Sequence, residues 1–329
     1  MTPTRNCLHA LFCASLLLAC APVHAQKGDP GYPARPVRWV VPYAAGGLPD
    51  TMARVIATRM TDSLGQQIVI DNRGGAGGIV GCEIVARSSP DGYTMLVADV
   101  GQLAINPFLY AKLPYDPEKD FAPVSAMGAS VLFLVVNANV PAKSFSELSA
   151  LARTKPGTLN YGSSGIGSIH HIAMEALKSA LKLNVVHVPY KGTGEMIPAL
   201  LAGQVAFGYA ALPSIEGHVK AGRVRIVAVG ALKRTARMPD VPTIAESGVP
   251  DYEFNPLIGL LAPAGTPPVV VTRMSQEVAK ALKTPEVSQR FAQLDIEPIG
   301  NTPQQYAAVI RTAMKKFGPA VKASGARIE

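Results

Sequence analysis

Residues Val37–Leu64 read VRWVVPYAAGGLPDTMARVIATRMTDSL, and this stretch decides the fold. It opens with a short run of strand formers, Val37–Val41, breaks at Pro42 into a loop with paired glycines, and resumes as a helix. Met52, Val55, Ile56, Met60 and Leu64 fall on one face of that helix. The order then repeats: a strand at Gln67–Ile70, a loop at Asn72–Gly78, a helix through Ile79, Ile84 and Val85, the turn Asp91-Gly92, and a strand at Tyr93–Ala98. Strands that alternate with amphipathic helices predict an α/β fold, a mostly parallel sheet with helices on both faces.

The pattern continues downstream. Ser130–Val136, Leu159–Tyr161, Val185–Val188, Val205–Ala210 and Arg225–Val229 read as strands, with helices at about 169–181, 195–201 and 214–221 between them. Ser144-x-x-Glu147 is a capping box that opens a helix ending near Gly157. Thr284-Pro285 and Thr302-Pro303 start two closing helices, each a cap followed by proline at the first helical position. The apolar stretches Ala126–Val136 and Tyr252–Pro263 are the candidate crossings between two α/β domains. The division expected is 26–128 with 254–329 for a discontinuous first domain, and 129–253 for the second.

The N-terminus carries a different signal. Arg5, the apolar run Leu11–Ala19 and the small residues Val23 and Ala25 match a secretory signal peptide over 1–25. A membrane-spanning helix needs roughly 20 apolar residues, more than this run offers. Leu17-Leu18-Ala19-Cys20 also resembles a lipobox, so acylation at Cys20 is the competing form of processing. Either form places the chain in the periplasm.

Composition removes several function classes. The chain has 329 residues, 48% hydrophobic and 16% charged, which excludes a disordered protein. Of its four cysteines, Cys7, Cys13 and Cys20 lie in the export segment and only Cys82 lies beyond. A disulfide framework or a cysteine metal site in the folded body is excluded. The net charge of +8 suits anionic ligands and is spread along the chain, with no basic patch that would mark a nucleic-acid partner. Ser164 has Gly162 two residues before it but Ile166 two after it, so the nucleophile elbow is incomplete. His171 and Glu175 are one helical turn apart without a third metal ligand nearby in sequence. Gly75, Gly77 and Gly81 fit a loose dinucleotide pattern, but they follow the second strand, and a tight turn with close helix packing explains them as well. No enzymatic activity, cofactor or metal is expected.

Two loops carry the functional reading. Tyr43-Ala44-Ala45-Gly46-Gly47 precedes one helix start, and Ser163-Ser164-Gly165-Ile166-Gly167-Ser168 precedes another. Glycines let a ligand approach the backbone, and free N–H groups at a helix start favour an anion. The serine hydroxyls add donors. Such loops sit at the carboxyl ends of parallel strands, where open α/β sheets bind ligands. Asp99 ends a strand nearby, followed by Gly101 and Gln102; it reads either as a cleft carboxylate or as a strand end facing solvent. Asp50 reads as a first-turn helix acid.

At these residues the chain resembles the Bug receptors, the periplasmic solute-binding proteins of tripartite tricarboxylate transporters. The resemblance spans about Tyr32 to the C-terminus and rests on many short motifs. They include Val41-Pro42-Tyr43 with Gly46-Gly47, Asp71-Asn72-Arg73 with Gly75-Ala76-Gly77-Gly78, and Pro90-Asp91-Gly92-Tyr93. Leu113-Pro114-Tyr115-Asp116, His187-Val188-Pro189-Tyr190-Lys191-Gly192 and Ala262-Pro263-Ala264-Gly265-Thr266-Pro267 extend the match.

The resemblance implies a type II Venus-flytrap receptor that binds a small organic acid and delivers it to membrane permease subunits, as a monomer. It implies ligand contacts from Tyr43–Gly47, from Ser163–Ser168 and from Asp99, Gly101 and Gln102, and it places His171 where it touches the ligand or orients the loop. A sensor receptor for signalling, or an exported α/β enzyme, are the alternatives. The chain departs from the family at Ala45, where proline is usual, and at Asp99 and Val100, where hydroxyl residues are common. It also departs at Ala206 and Ala210, where acids are common, and at Leu257, where an aromatic is. These departures imply a ligand whose far end is apolar or aromatic.

Overall fold

Among the described residues six strands form a first sheet and five a second. The computed structural model describes residues 31–324 and 327–328; the expected signal peptide, the Cys20 lipobox and their cleavage sites lie outside these residues. The elements of the first half are β1 (Val37–Val41), α1 (Leu48–Leu64), β2 (Ile68–Asn72), α2 (Ile79–Ala86), β3 (Thr94–Asp99), α3 (Asn106–Leu109), β4 (Phe121–Ser130), β5 (Phe133–Asn137) and α4 (Phe145–Thr154). Then come β6 (Asn160–Ser163), α5 (Ile169–Leu181), β7 (Val186–Pro189), α6 (Thr193–Leu201), β8 (Phe207–Ala210), α7 (Leu212–Lys220) and β9 (Val224–Val229). The chain closes with β10 (Leu257–Pro263), α8 (Pro268–Leu282), α9 (Pro285–Gln293), β11 (Ile296–Pro298) and α10 (Pro303–Ser324).

The strand orders are β11-β4-β10-β3-β1-β2 and β7-β6-β8-β5-β9. The chain leaves the first sheet at the end of β4, enters the second through Val131-Leu132, and returns by β10 after β9. The first passage falls inside the apolar stretch Ala126–Val136; the return runs through residues 230–256 and ends in Tyr252–Pro263, which holds β10.

The sheets are mixed, which corrects the mostly parallel expectation. β1 pairs in parallel with β2 and β3, but β10 runs antiparallel to β3 and β4, and β11 antiparallel to β4. In the second sheet β6 is parallel to β7 and β8, while β5 is antiparallel to β8 and β9. Of the strands not predicted from the sequence, β4 lies between β10 and β11 and is antiparallel to both. Pro123 and Gly128 interrupt β4, and the β4–β10 ladder shifts register at two places, so its apolar alternation is broken. Helix α8 is not among the predicted helices; it opens at Pro267-Pro268, and proline fits the first turn of a helix, where its missing N–H costs nothing.

Apolar faces of the helices supply the core. Met52, Ile56 and Met60 of α1 are fully buried, as the sequence period requires. Tyr161 and Phe207 of the second sheet form one cluster with Ile172 and Leu177 of α5, joined by Phe317 and Val321 from α10. Tyr306 and Ile310, earlier in the same helix, pack with Val40, Leu96 and Leu261 of the first sheet. Helix α10 thus leans on both sheets. Each such fully buried side chain contributes about 1.5–3 kcal/mol relative to exposure.

Candidate functional site

Loop Tyr43–Gly47 leaves β1 and enters α1, with Pro49 in the first turn of the helix. Asp50 is 4% exposed; its carboxylate accepts from the Gly46 N–H at 2.9 Å and pairs with Arg54 at 3.0 Å. It is the first-turn acid expected, and it fixes the loop from behind. Loop Ser163–Ser168 leaves β6 and enters α5, where Ser168 is the N-cap and accepts from the His171 N–H.

The two loops are brought together, with two further segments between them. The carbonyl of Lys191 accepts the Ala44 N–H at 3.0 Å, and the Ser214 hydroxyl donates to the Gly46 carbonyl at 3.2 Å. A Cβ on Gly192 would lie 2.8 Å from the Ala44 nitrogen, one on Gly194 would strike the Ala45 carbonyl, and one on Gly47 would lie 2.5 Å from the Thr193 hydroxyl. Segment Tyr190–Gly194 therefore covers the first loop at backbone contact. On the other side, a Cβ on Gly77 would strike the Ile166 carbonyl, and one on Gly101 would lie 3.5 Å from the Gly167 carbonyl. Gly77 and Gly78 take positive φ of 63° and 91°, so glycine is required there by conformation as well as by space. The dinucleotide-like glycines serve as this tight, close-packed turn.

A buried polar node joins these parts. The Tyr43 hydroxyl lies 3.1 and 3.2 Å from the Asp99 carboxyl oxygens and accepts from the Gln102 amide at 2.7 Å. Gln102 also donates to the Gly77 carbonyl at 3.1 Å, and Asp99 accepts the Gly101 N–H at 2.6 Å. Asp99 is 3% exposed. This corrects the solvent-facing alternative for Asp99: the strand end turns into the molecule because Tyr43 and Gly101 supply its hydrogen bonds. Burial pushes the Asp99 carboxyl up to about 6, against the lowering effect of those bonds. Burial also raises the Tyr43 hydroxyl well above its ordinary value, so it is a neutral donor.

Histidines brace the second loop. The Ser163 hydroxyl is 2.6 Å from His187 Nε2, and the Ser164 hydroxyl 2.6 Å from His170 Nδ1. The Gly167 N–H donates to His171 Nδ1 at 3.3 Å. His171 and His187 stack at 4.3 Å and 11°, and His187 stacks on Tyr161 at 4.8 Å. Burial lowers all three imidazoles, His170 to about 4 and His187 to about 3. They are neutral at pH 7. Glu175, held by Lys178 and by the Tyr161 hydroxyl, stays ionised 3.9 Å from His171. Among the described residues no group of three His, Cys, Asp or Glu could hold a metal ion.

Every residue expected at the site lies in this assembly, and the assembly contains more than was expected. Sequence reasoning missed His170 and His187 as loop braces and segment Tyr190–Gly194 as the cover of the first loop. The signal was present in the glycines: Gly192 and Gly194 flank Thr193 at a helix start, a third loop of the same kind as the two that were recognised.

Comparison with known proteins shows the family and the fold. Residues 52–326 match the family described as tripartite tricarboxylate transporter family receptor. The chain is 33% identical to the protein BugT of Bordetella pertussis over 325 residues, 98% of this chain and 100% of that one. Among solved structures, R. palustris Rpa4515 with adipate has a TM-score of 0.87 at 34% identity, covering 90% of this chain and 100% of that one. MatC from Rhodopseudomonas palustris with bound malate has a TM-score of 0.85 at 32% identity, covering 88% and 100%. A match over this much of the chain, on a two-sheet α/β scaffold of the same architecture, leaves one assignment: the chain belongs to the receptor family of the tripartite tricarboxylate transporters.

Proposed function

We propose that the chain is a periplasmic receptor that closes around a small organic anion, a carboxylate, and presents it to the membrane permease subunits of a tripartite tricarboxylate transporter. The observation that carries this reading is the meeting of the two loops across the Tyr43–Asp99–Gln102 node. Each loop precedes a helix start, so N–H groups converge where an anion is favoured by the helix ends. The Ala44 and Gly46 amides are engaged by Lys191 and Asp50. The donors assigned to the ligand are therefore the amides of Ala45 and Gly47 in the first loop and of Ser164 and Ile166 in the second, with the Ser164 hydroxyl oriented by His170. The adipate and malate in the two structural relatives are of the same chemical class.

The proposed domains are 26–128 with 254–329 and 129–253, and binding is a hinge motion about the two crossings that shifts an open–closed equilibrium. No covalent step is involved. Asp99 lies beside Tyr43, Gly101 and Gln102, all assigned to the ligand site. An ionised carboxylate there disfavours a second ligand carboxylate nearby, which selects a ligand whose far end is apolar or aromatic.

A thermal-shift screen of aliphatic, aromatic and amino acids on ligand-stripped protein tests the reading. A true ligand raises the melting temperature with concentration. A flat response to every class contradicts it, and a dicarboxylate that binds far more tightly than its monocarboxylate analogue contradicts the assignment of the far end.

A further inference from the structure

The N-terminus of α5 is closed by a capping box of unusual chemistry. Ser168 is the N-cap and accepts the N–H of His171, three residues on, at 3.3 Å. His171 returns the bond by accepting the Gly167 N–H on Nδ1 at 3.3 Å. Among the described residues three other boxes of this form are built, and each uses a carboxylate or an amide. Ser144 accepts the Glu147 N–H while Glu147 accepts the Lys143 N–H; Thr243 and Glu246 bond reciprocally, as do Thr302 and Gln305. The box at the proposed ligand loop is the one, among these four, whose acceptor is an imidazole.

The exchange has a physical consequence. A glutamate at position 171 would cap the helix equally well, but, unlike Asp50 of the first loop, whose charge is paired with Arg54, it would set a second negative charge beside Glu175 at the end of the loop that is to receive an anion. A neutral imidazole supplies the same acceptor without the charge. It does so only while Nδ1 is unprotonated, because the imidazolium presents N–H groups at both ring nitrogens. Protonation would turn Nδ1–H toward the Gly167 N–H, two donors facing each other.

We propose that His171 is a positioning residue of the second ligand loop: its neutral, Nε2-protonated imidazole holds Gly167 in place without repelling a bound anion, and acid releases the loop. The inference rests on the reading of Ser163–Ser168 as a ligand loop. The groups around the ring are consistent with a single titrating switch. From α5, Glu175 favours the imidazolium and Lys178 disfavours it. From β7, His187 lies face to face with the ring at 4.3 Å and is neutral to about 3, so it does not share the proton. Tyr161 of β6 and Tyr110, which faces Gly167, are both raised above the ordinary tyrosine value and stay uncharged. His170 bonds Ser164, whose hydroxyl can turn to suit either ring state; the Gly167 amide cannot.

The test needs no ligand in its first arm. In the ligand-free protein, nuclear magnetic resonance follows the His171 ring nitrogens and the Gly167 amide from about pH 8 to about pH 4. The expected result is one common midpoint, with hydrogen exchange at Gly167, corrected for its intrinsic pH dependence, rising about tenfold or more on the acid side. In His171→Gln, which copies the Thr302–Gln305 box, Gly167 stays protected and its titration disappears. A Gly167 amide that ignores the His171 titration, or one that still titrates in His171→Gln, overturns the proposal. The second arm uses hexanoate, a carboxylate with an apolar far end, as the probe. At about pH 7 His171→Glu, whose loop stays protected, binds it about tenfold more weakly than His171→Gln, or worse. Equal binding by His171→Glu with a protected loop overturns the electrostatic part. If hexanoate binds no variant, wild type included, the receptor reading is in question, and the first arm still decides the role of His171.

Discussion

Asp99 shows how one side chain can carry a stability cost inside a site. Its folded value of about 6 lies above the ordinary value of 3.8. The folded state therefore binds the extra proton between these two pH values, and the carboxylate's contribution to stability falls as pH rises through the folded value. Asp99→Asn keeps an acceptor for Gly101 and Tyr43 and removes the charge. It is expected to stabilise the protein by on the order of 2 kcal/mol at about pH 8 and to have little effect at about pH 4. Denaturant melts at the two pH values check this; equal effects at both would show that the carboxyl is not held above its normal range. The type of residue at position 99 was legible in the sequence and its environment was not. Burial there depends on Tyr43, which is 56 residues away.

At the scale of the element, the loops were legible and their neighbours were not. A glycine-rich segment between a strand and an amphipathic helix is a local signal, and both predicted ligand loops stand where the pattern put them. The cover of the first loop, Tyr190–Gly194, comes from the other sheet, and β4, β10 and β11 pair antiparallel over long separations; neither is written in a local period. The contact between elements yields a sharp test. Gly47 has an ordinary backbone conformation, with φ of −79°, so alanine adds no strain. Its Cβ would meet the Thr193 hydroxyl at 2.5 Å. Gly47→Ala is expected to weaken ligand binding about tenfold while the ligand-free melting temperature moves by no more than about 2 °C, and Thr193→Ala is expected to restore binding. A large loss of stability, or no rescue, would place Gly47 in the folding core rather than at a closing contact.

Across the whole molecule, the strand orders separate the loops from the crossings. β1, β2 and β3 lie on one side of β10 and β4, and β6 and β7 lie on one side of β5 and β9. The loops therefore lie on the side of each sheet away from the crossings, the side that the proposed hinge motion moves furthest. The buried histidines add a global pH dependence. His170, His171 and His187 are all lowered, so the unfolded chain binds more protons than the folded one below the ordinary histidine value of 6.5. Stability from these groups is full above that value and is lost as pH falls toward about 4, which outweighs the opposite trend of the single Asp99. The melting temperature is expected to fall from pH 7 to about pH 4.5; a rise would mean that the imidazoles are not buried neutral.

The most direct test of closure on a carboxylate is a distance between the two moving margins. Val69 on β2 and Val186 on β7 are 42% and 49% exposed, at the outer strand of each sheet. Cys82 is buried, and burial raises its thiol well above the ordinary value, so it does not compete for a label. With Cys7, Cys13 and Cys20 replaced, spin labels at Val69→Cys and Val186→Cys report the separation by pulsed electron resonance. A broad distribution without ligand, collapsing to its short component when a stabilising carboxylate is added, is the result this account predicts. A distribution that no carboxylate changes, although one of them raises the melting temperature, would contradict it.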